Sequence, residues 1–91
     1  MRYSLVFSEQ SQKVLKKWKK SNPSVFKKAS EILNDIAEHP REGRGHPEAL
    51  IGGSGIIWSR RITAHDRVIY EIHDEIITVD ILTVEGHYND K

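Results

Sequence analysis

The string WSRRITAHDRVIY, residues 58–70, places Arg60, Arg61 and Arg67 on two adjoining strand-like runs. A guanidinium carries a fixed charge on a planar fork that matches the oxygens of a phosphate, so this trio suits an anion. Strand parity puts Arg60 and Arg61 on opposite faces, and at most one of them can point with the interior pattern. The bland account of the same residues is a solvated hairpin whose charges keep an edge from aggregating. His87 and Tyr88 follow the last strand-like run. With an ordinary pKa of about 6.5, a histidine suits proton donation near neutrality, although a His-Tyr pair near a terminus is commonly a surface feature. Glu48 stands between Pro47 and Ala49 in a glycine-rich stretch, where a carboxylate is ordinarily a solvated charge.

Other chemistries find less support. His39, His46, His65 and His73 include no pair at the i, i+4 helical spacing of a metal site, so neither a metal nor a cofactor is expected. The phosphate-binding pattern GxxxxGK[ST] and the serine-hydrolase elbow are absent. Zero cysteines remove disulfides, thiolate zinc sites and thiol nucleophiles together, which suits a cytoplasmic protein. The longest apolar runs, such as Leu5 to Phe7, are three residues, against the roughly 20 needed for a membrane span.

The net charge of +1 hides an asymmetry. Residues 1–41 carry nine Lys/Arg against four Asp/Glu, and residues 42–91 carry five against nine. Seven lysines lie between Lys13 and Lys28, including Lys13, Lys16, Lys17 and Lys20. Such a run is usually a solvated helix face, and it is also a footprint that can meet RNA phosphates.

The elements that must position these residues read as one domain over residues 1–91, since 91 residues is below the usual domain size of about 100 to 150. Tyr3, Leu5 and Phe7 alternate as in a strand, and Ser8 can then cap a helix over Glu9 to Lys20 with Val14, Leu15 and Trp18 on one face. Asn22-Pro23 starts a second helix, in which Phe26, Ala29, Ile32, Leu33, Ile36 and Ala37 recur at helical spacing until His39-Pro40 stops it. Arg41 to Gly55, with five of the six glycines, reads as an exposed and mobile loop. Strand-like runs follow at Ile56 to Ile62, Arg67 to His73 and Ile76 to Thr83. Their links, Thr63 to Asp66 and Asp74-Glu75, are short enough to force antiparallel hairpins. Val68, Tyr70 and Ile72 share one face, as do Ile77, Val79 and Ile81. The plan is α+β: two N-terminal helices on a twisted, mostly antiparallel four-stranded sheet.

Four segments in order, Gly45-His46-Pro47-Glu48, Trp58-Ser59-Arg60-Arg61-Ile62, Arg67-Val68-Ile69-Tyr70 and His87-Tyr88, resemble the YoeB/Txe branch of the RelE-like bacterial toxins. The likeness runs over nearly the whole chain, including the opening strand and both helices. Ala49 stands where proline is common in that family, Ile51 where a lysine occurs, and Glu85-Gly86 where a basic-aromatic pair can precede the histidine.

The resemblance implies a RelE-like microbial RNase fold and a ribosome-dependent endoribonuclease, an mRNA interferase that cuts A-site mRNA without a metal. It implies Glu48 as general base, Arg67 as binder of the phosphate and transition state, His87 as general acid and Tyr88 as the residue that orients substrate. Arg61 is then the second positive group. Arg60 and, from the basic charge of the first helix, the lysines Lys13, Lys16, Lys17 and Lys20 are read as further RNA contacts. Implied partners are a cognate YefM/Phd-type antitoxin, the ribosome and its mRNA, a second copy in a homodimer, and operator DNA only through the antitoxin complex. Two readings compete with the enzyme. One is a catalytically silent RNA- or ribosome-binding module of the same fold, and the other is a structural interaction protein.

Overall fold

The structure, a computed structural model, describes residues 2–50 and 57–85, the last of these by its backbone. Strand β1 (Ser4–Phe7) leads into helices α1 (Glu9–Ser21) and α2 (Pro23–Glu38). Strands β2 (Glu48–Ala49), β3 (Ile57–Arg61), β4 (Arg67–His73) and β5 (Thr78–Glu85) follow, with a 3-10 turn, Asp74–Ile76, between the last two.

Ser8 caps α1 as its position predicts. Its backbone is extended and its side chain accepts the Ser11 N–H at 3.1 Å. Val14, Leu15 and Trp18 turn toward the core, and α1 closes where the Asn22 N–H donates to the Trp18 carbonyl at 2.7 Å. Pro23 opens α2, which buries Ala29, Ile32, Leu33, Ile36 and Ala37 and leaves Phe26 half-buried. The helix stops before Pro40, whose preceding residue is driven out of the helical region. Among the described residues no helix is long and apolar enough to cross a membrane.

The sheet runs β1-β5-β4-β3-β2. Pairings are antiparallel except β1 with β5, which is parallel because the two helices carry the chain from β1 across the sheet. Among the described residues it therefore has five strands where four are expected. The fifth is Glu48–Ala49, which the glycine-rich stretch adds at the edge beside β3. Val68, Tyr70 and Ile72 of β4 and Val79, Ile81 and Val84 of β5 face the helices and form the core with α2. The register jumps from Tyr70 opposite Ile81 to Ile69 opposite Thr83, so Leu82 is an extra residue, a bulge, and apolar parity resumes at Val84. Ile77 is not on the strand face expected for it. It takes a left-handed backbone (φ 51°) at the end of the 3-10 turn, which replaces the two-residue link. Among the described residues the opposite face of the sheet carries no helix.

Candidate active site

Residues directly opposite in a ladder point to one face, and so do residues two apart on a strand. Arg61 is opposite Arg67, and Glu48 is opposite Ser59, which is two residues from Arg61. Glu48, Ser59, Arg61, Ile69 and Arg67 therefore share the face turned away from the helices. Opposed backbones lie about 4.5 to 5.5 Å apart and diagonal neighbours about 7 to 8 Å. Arg61 is opposite Arg67 and diagonal to Glu48, while Glu48 and Arg67 flank β3 from its two sides, so two guanidinium residues and a carboxylate hold neighbouring positions on that face. Arg61 and Glu48 are exposed and Arg67 is half-buried. Among the residues whose side chains are described, neither arginine is ion-paired with a carboxylate. Like charges directly opposite in a sheet repel, and an anion set between them would remove that repulsion.

His87 and Tyr88 fall outside the described residues; β5 reaches Glu85, the register partner of Arg67. Lys13, Lys16, Lys17 and Lys20 are exposed on α1, in the helical layer behind the sheet, so they do not join the patch.

Arg60 is a correction. Its side chain is fully buried on the helix-facing side, and each of its five N–H donors has an acceptor within the chain. Nε donates to Tyr70 Oη (3.1 Å), Nη1 to Asp35 Oδ2 (2.5 Å) and the Arg44 carbonyl (3.1 Å), and Nη2 to the Glu42 carbonyl (2.8 Å) and the His39 carbonyl. Nothing is left for a phosphate. Partial burial pushes the Asp35 carboxyl up, but hydrogen bonds from Arg60 and the Arg44 N–H, together with the charges of Arg60 and His39, outweigh it and hold the group below the ordinary carboxylate value. Burial pushes the Tyr70 phenol up against the pull of Arg60. That phenol donates to the Pro40 carbonyl at 2.7 Å. The first part of the supposedly mobile loop is therefore pinned.

Sequence reasoning missed Asp35 and Tyr70. The available signals were a charged residue at the edge of the α2 apolar stripe, between Ile32 and Ile36, and a tyrosine at a core position whose hydroxyl needs a partner. It also missed Glu71, His73 and Asp80, whose ligand atoms lie within 4.8 Å of one another and which could hold a divalent ion. His73 Nε2 stands 3.1 Å from Asp80 Oδ2 and 3.9 Å from Glu71 Oε1, so the histidine lies between the two carboxylates. This group sits four residues along β4 from Arg67, outside the arginine patch.

The model of the YoeB-like toxins of bacterial type II toxin-antitoxin systems matches residues 7–88, a span that takes in every element after β1 and all four motif segments. The chain belongs to that family. Toxin YoeB of Escherichia coli O6:H1 is 35% identical over 75 residues, covering 82% of this chain and 89% of the other. Among solved structures, the YoeB dimer of Staphylococcus aureus has a TM-score of 0.81 at 29% identity, covering 97% of this chain and 100% of that one. The YoeB-YefM complex of the same organism has a TM-score of 0.80 at 30% identity with the same coverage. The five-stranded architecture is the RelE-like fold that the resemblance implied. In this YoeB-like chain the family's arginine pair divides by face, Arg61 to the open side and Arg60 to the interior.

Proposed function

We propose that the chain is a ribosome-dependent endoribonuclease toxin that cleaves mRNA in the A site by acid-base chemistry. The observation that carries this reading is the pairing of Arg61 with Arg67 one register step from Glu48, on an open sheet face of a YoeB-family chain. RNA brings its own nucleophile, the 2′-OH. Cleavage then needs a base for that proton, positive charge on the phosphorane, and an acid for the departing 5′-oxygen. Glu48 takes the 2′-OH proton, Arg67 and Arg61 hold the phosphorane, and His87 protonates the 5′-oxygen as its bond to phosphorus breaks. Tyr88 orients the substrate beside His87. The products are a 2′,3′-cyclic phosphate and a 5′-hydroxyl, and the set is complete without a metal. Acid-base groups contribute about 10²- to 10⁴-fold each, and one preorganised charge donor about 10²- to 10³-fold.

The toxin works in the cytoplasm, where its ribosomal substrate is. Its partners are taken from its relatives: the Staphylococcus aureus neighbours form a dimer and a complex with YefM, and this chain pairs with a cognate YefM/Phd-type antitoxin and a second copy of itself. Primer extension on ribosomes holding a defined A-site codon tests the reading. Wild type should produce discrete new ends that form about 10²- to 10⁴-fold more slowly with Glu48→Gln and with His87→Gln and vanish with a 2′-deoxy nucleotide at the scissile position. Cutting of the deoxy substrate would eliminate the mechanism, and translation arrest without new ends would establish the silent binding module instead.

A further inference from the structure

Arg60 sits beside the site without entering it, and its acceptors show what it controls. Between residues 39 and 45, the carbonyls of His39, Glu42 and Arg44 take Arg60 N–H groups, that of Pro40 takes the Tyr70 hydroxyl, and that of Gly45 takes the Arg61 N–H at 2.7 Å. The Arg44 N–H returns a bond to Asp35 at 3.1 Å. Three residues beyond Gly45 stands Glu48, joined to β3 by a ladder two residues long. Such a ladder is a weak anchor on its own, because connections longer than about 12 to 15 residues are seldom ordered unless something else holds them. The connection here runs from residue 39 to residue 56.

We propose that Arg60 is the positioning residue of the active site: by fastening segment 39–45 to β3 and β4, it sets where Glu48 stands relative to Arg61 and Arg67. The inference rests on Glu48 being the base. Lysine cannot replace Arg60, because an ammonium directs three donors from one point while these acceptors surround a planar fork. Gly43 belongs to the same device. Its φ is 121°, and a Cβ there would lie 2.1 Å from Asp35 Oδ2 and 3.3 Å from Arg60 Nη1, so the backbone passes too close to the ion pair for any side chain.

The test is single-turnover cleavage on programmed ribosomes with wild type, Arg60→Lys, Asp35→Asn, Glu48→Gln and the double variant Arg60→Lys/Glu48→Gln. Loss of folded protein lowers the amplitude of cleavage, whereas displacement of Glu48 lowers the rate constant. Arg60→Lys should lower the rate constant by about 10²-fold, the scale of a misplacement near 1 Å, without changing ribosome affinity. It should add nothing on the Glu48→Gln background, since both substitutions remove one contribution. A drop in amplitude alone, or losses that multiply in the double variant, would overturn the proposal. Asp35→Asn, nearly isosteric, gives the same readout should Arg60→Lys not fold. If wild type does not cut, or Glu48→Gln cuts as fast, the reading of Glu48 falls. Amide exchange at Arg61 and Leu50, whose N–H groups bond Gly45 and Ile57, then decides the fastening by itself: protection unchanged in Arg60→Lys would refute it.

Discussion

A guanidinium has five donors and no acceptor, so burying one creates five demands that the fold must meet. Arg60 meets them with a carboxylate, a phenol and three carbonyls, and Arg61, one position along and on the other face, meets the open side of the sheet with its charge uncommitted to any carboxylate among the described residues. Arg61→Ala should therefore stay within the surface range of about ±0.5 kcal/mol in stability while lowering cleavage about 10²- to 10³-fold. Thermal melts and primer extension on the same preparation separate the two effects. Asp35 supplies the pH dependence. A carboxyl held below its unfolded pKa contributes stability that is present above that value and is lost as pH falls through the folded one, because the unfolded chain binds the proton first. Wild-type urea midpoints should then fall below about pH 4, and those of Asp35→Asn should start lower at pH 7, fall less steeply in that window and converge on wild type in acid. Parallel curves from pH 7 to acid would show that the ion pair adds nothing.

At the scale of elements, Ser8 joins three parts of the fold. Its side chain caps α1 through Ser11, and its hydroxyl reaches the Leu82 carbonyl at 2.8 Å, at the bulge of β5. Ser8→Ala should lose about 1 kcal/mol from the cap, seen calorimetrically as a fall of about 4 to 8 °C in Tm; an unchanged Tm would mean that the cap is replaced by water. Helices and hairpin strands were legible in the sequence because their apolar residues keep a period, as along Ala29, Ile32, Leu33 and Ile36 or Val68, Tyr70 and Ile72. Parity also showed that only one of Arg60 and Arg61 could turn inward. Which one did so depends on the side that the helices cover, and that is settled by packing across the sheet. Glu48–Ala49 is too short to show a period, and the Leu82 bulge breaks one, so both escaped local reading. The Glu71, His73 and Asp80 group exists only through the register of β4 against β5.

At the scale of the whole molecule, the near-zero net charge hides two groups of cations on opposite sides of the sheet. The lysines of α1 occupy the helical layer, and Arg61 and Arg67 occupy the open face. The chain is 24 Å across its shortest dimension, well beyond a screening length of about 8 to 10 Å in ordinary salt, so the two surfaces act almost independently. On the proposed mechanism, a polyanion held by the lysines would gain affinity from them and receive no catalytic charge, while the arginine pair would act on the reacting phosphate. Combined Lys16→Glu, Lys17→Glu and Lys20→Glu substitutions should weaken ribosome binding and flatten its dependence on log salt by about one for each phosphate that is no longer neutralised. The single-turnover rate constant at saturating ribosomes should be untouched. Arg61→Ala should do the reverse, lowering the rate constant with little change in that slope. Lysine variants that slow the chemical step at saturation would join the two surfaces into one site, which the separation across the sheet does not permit.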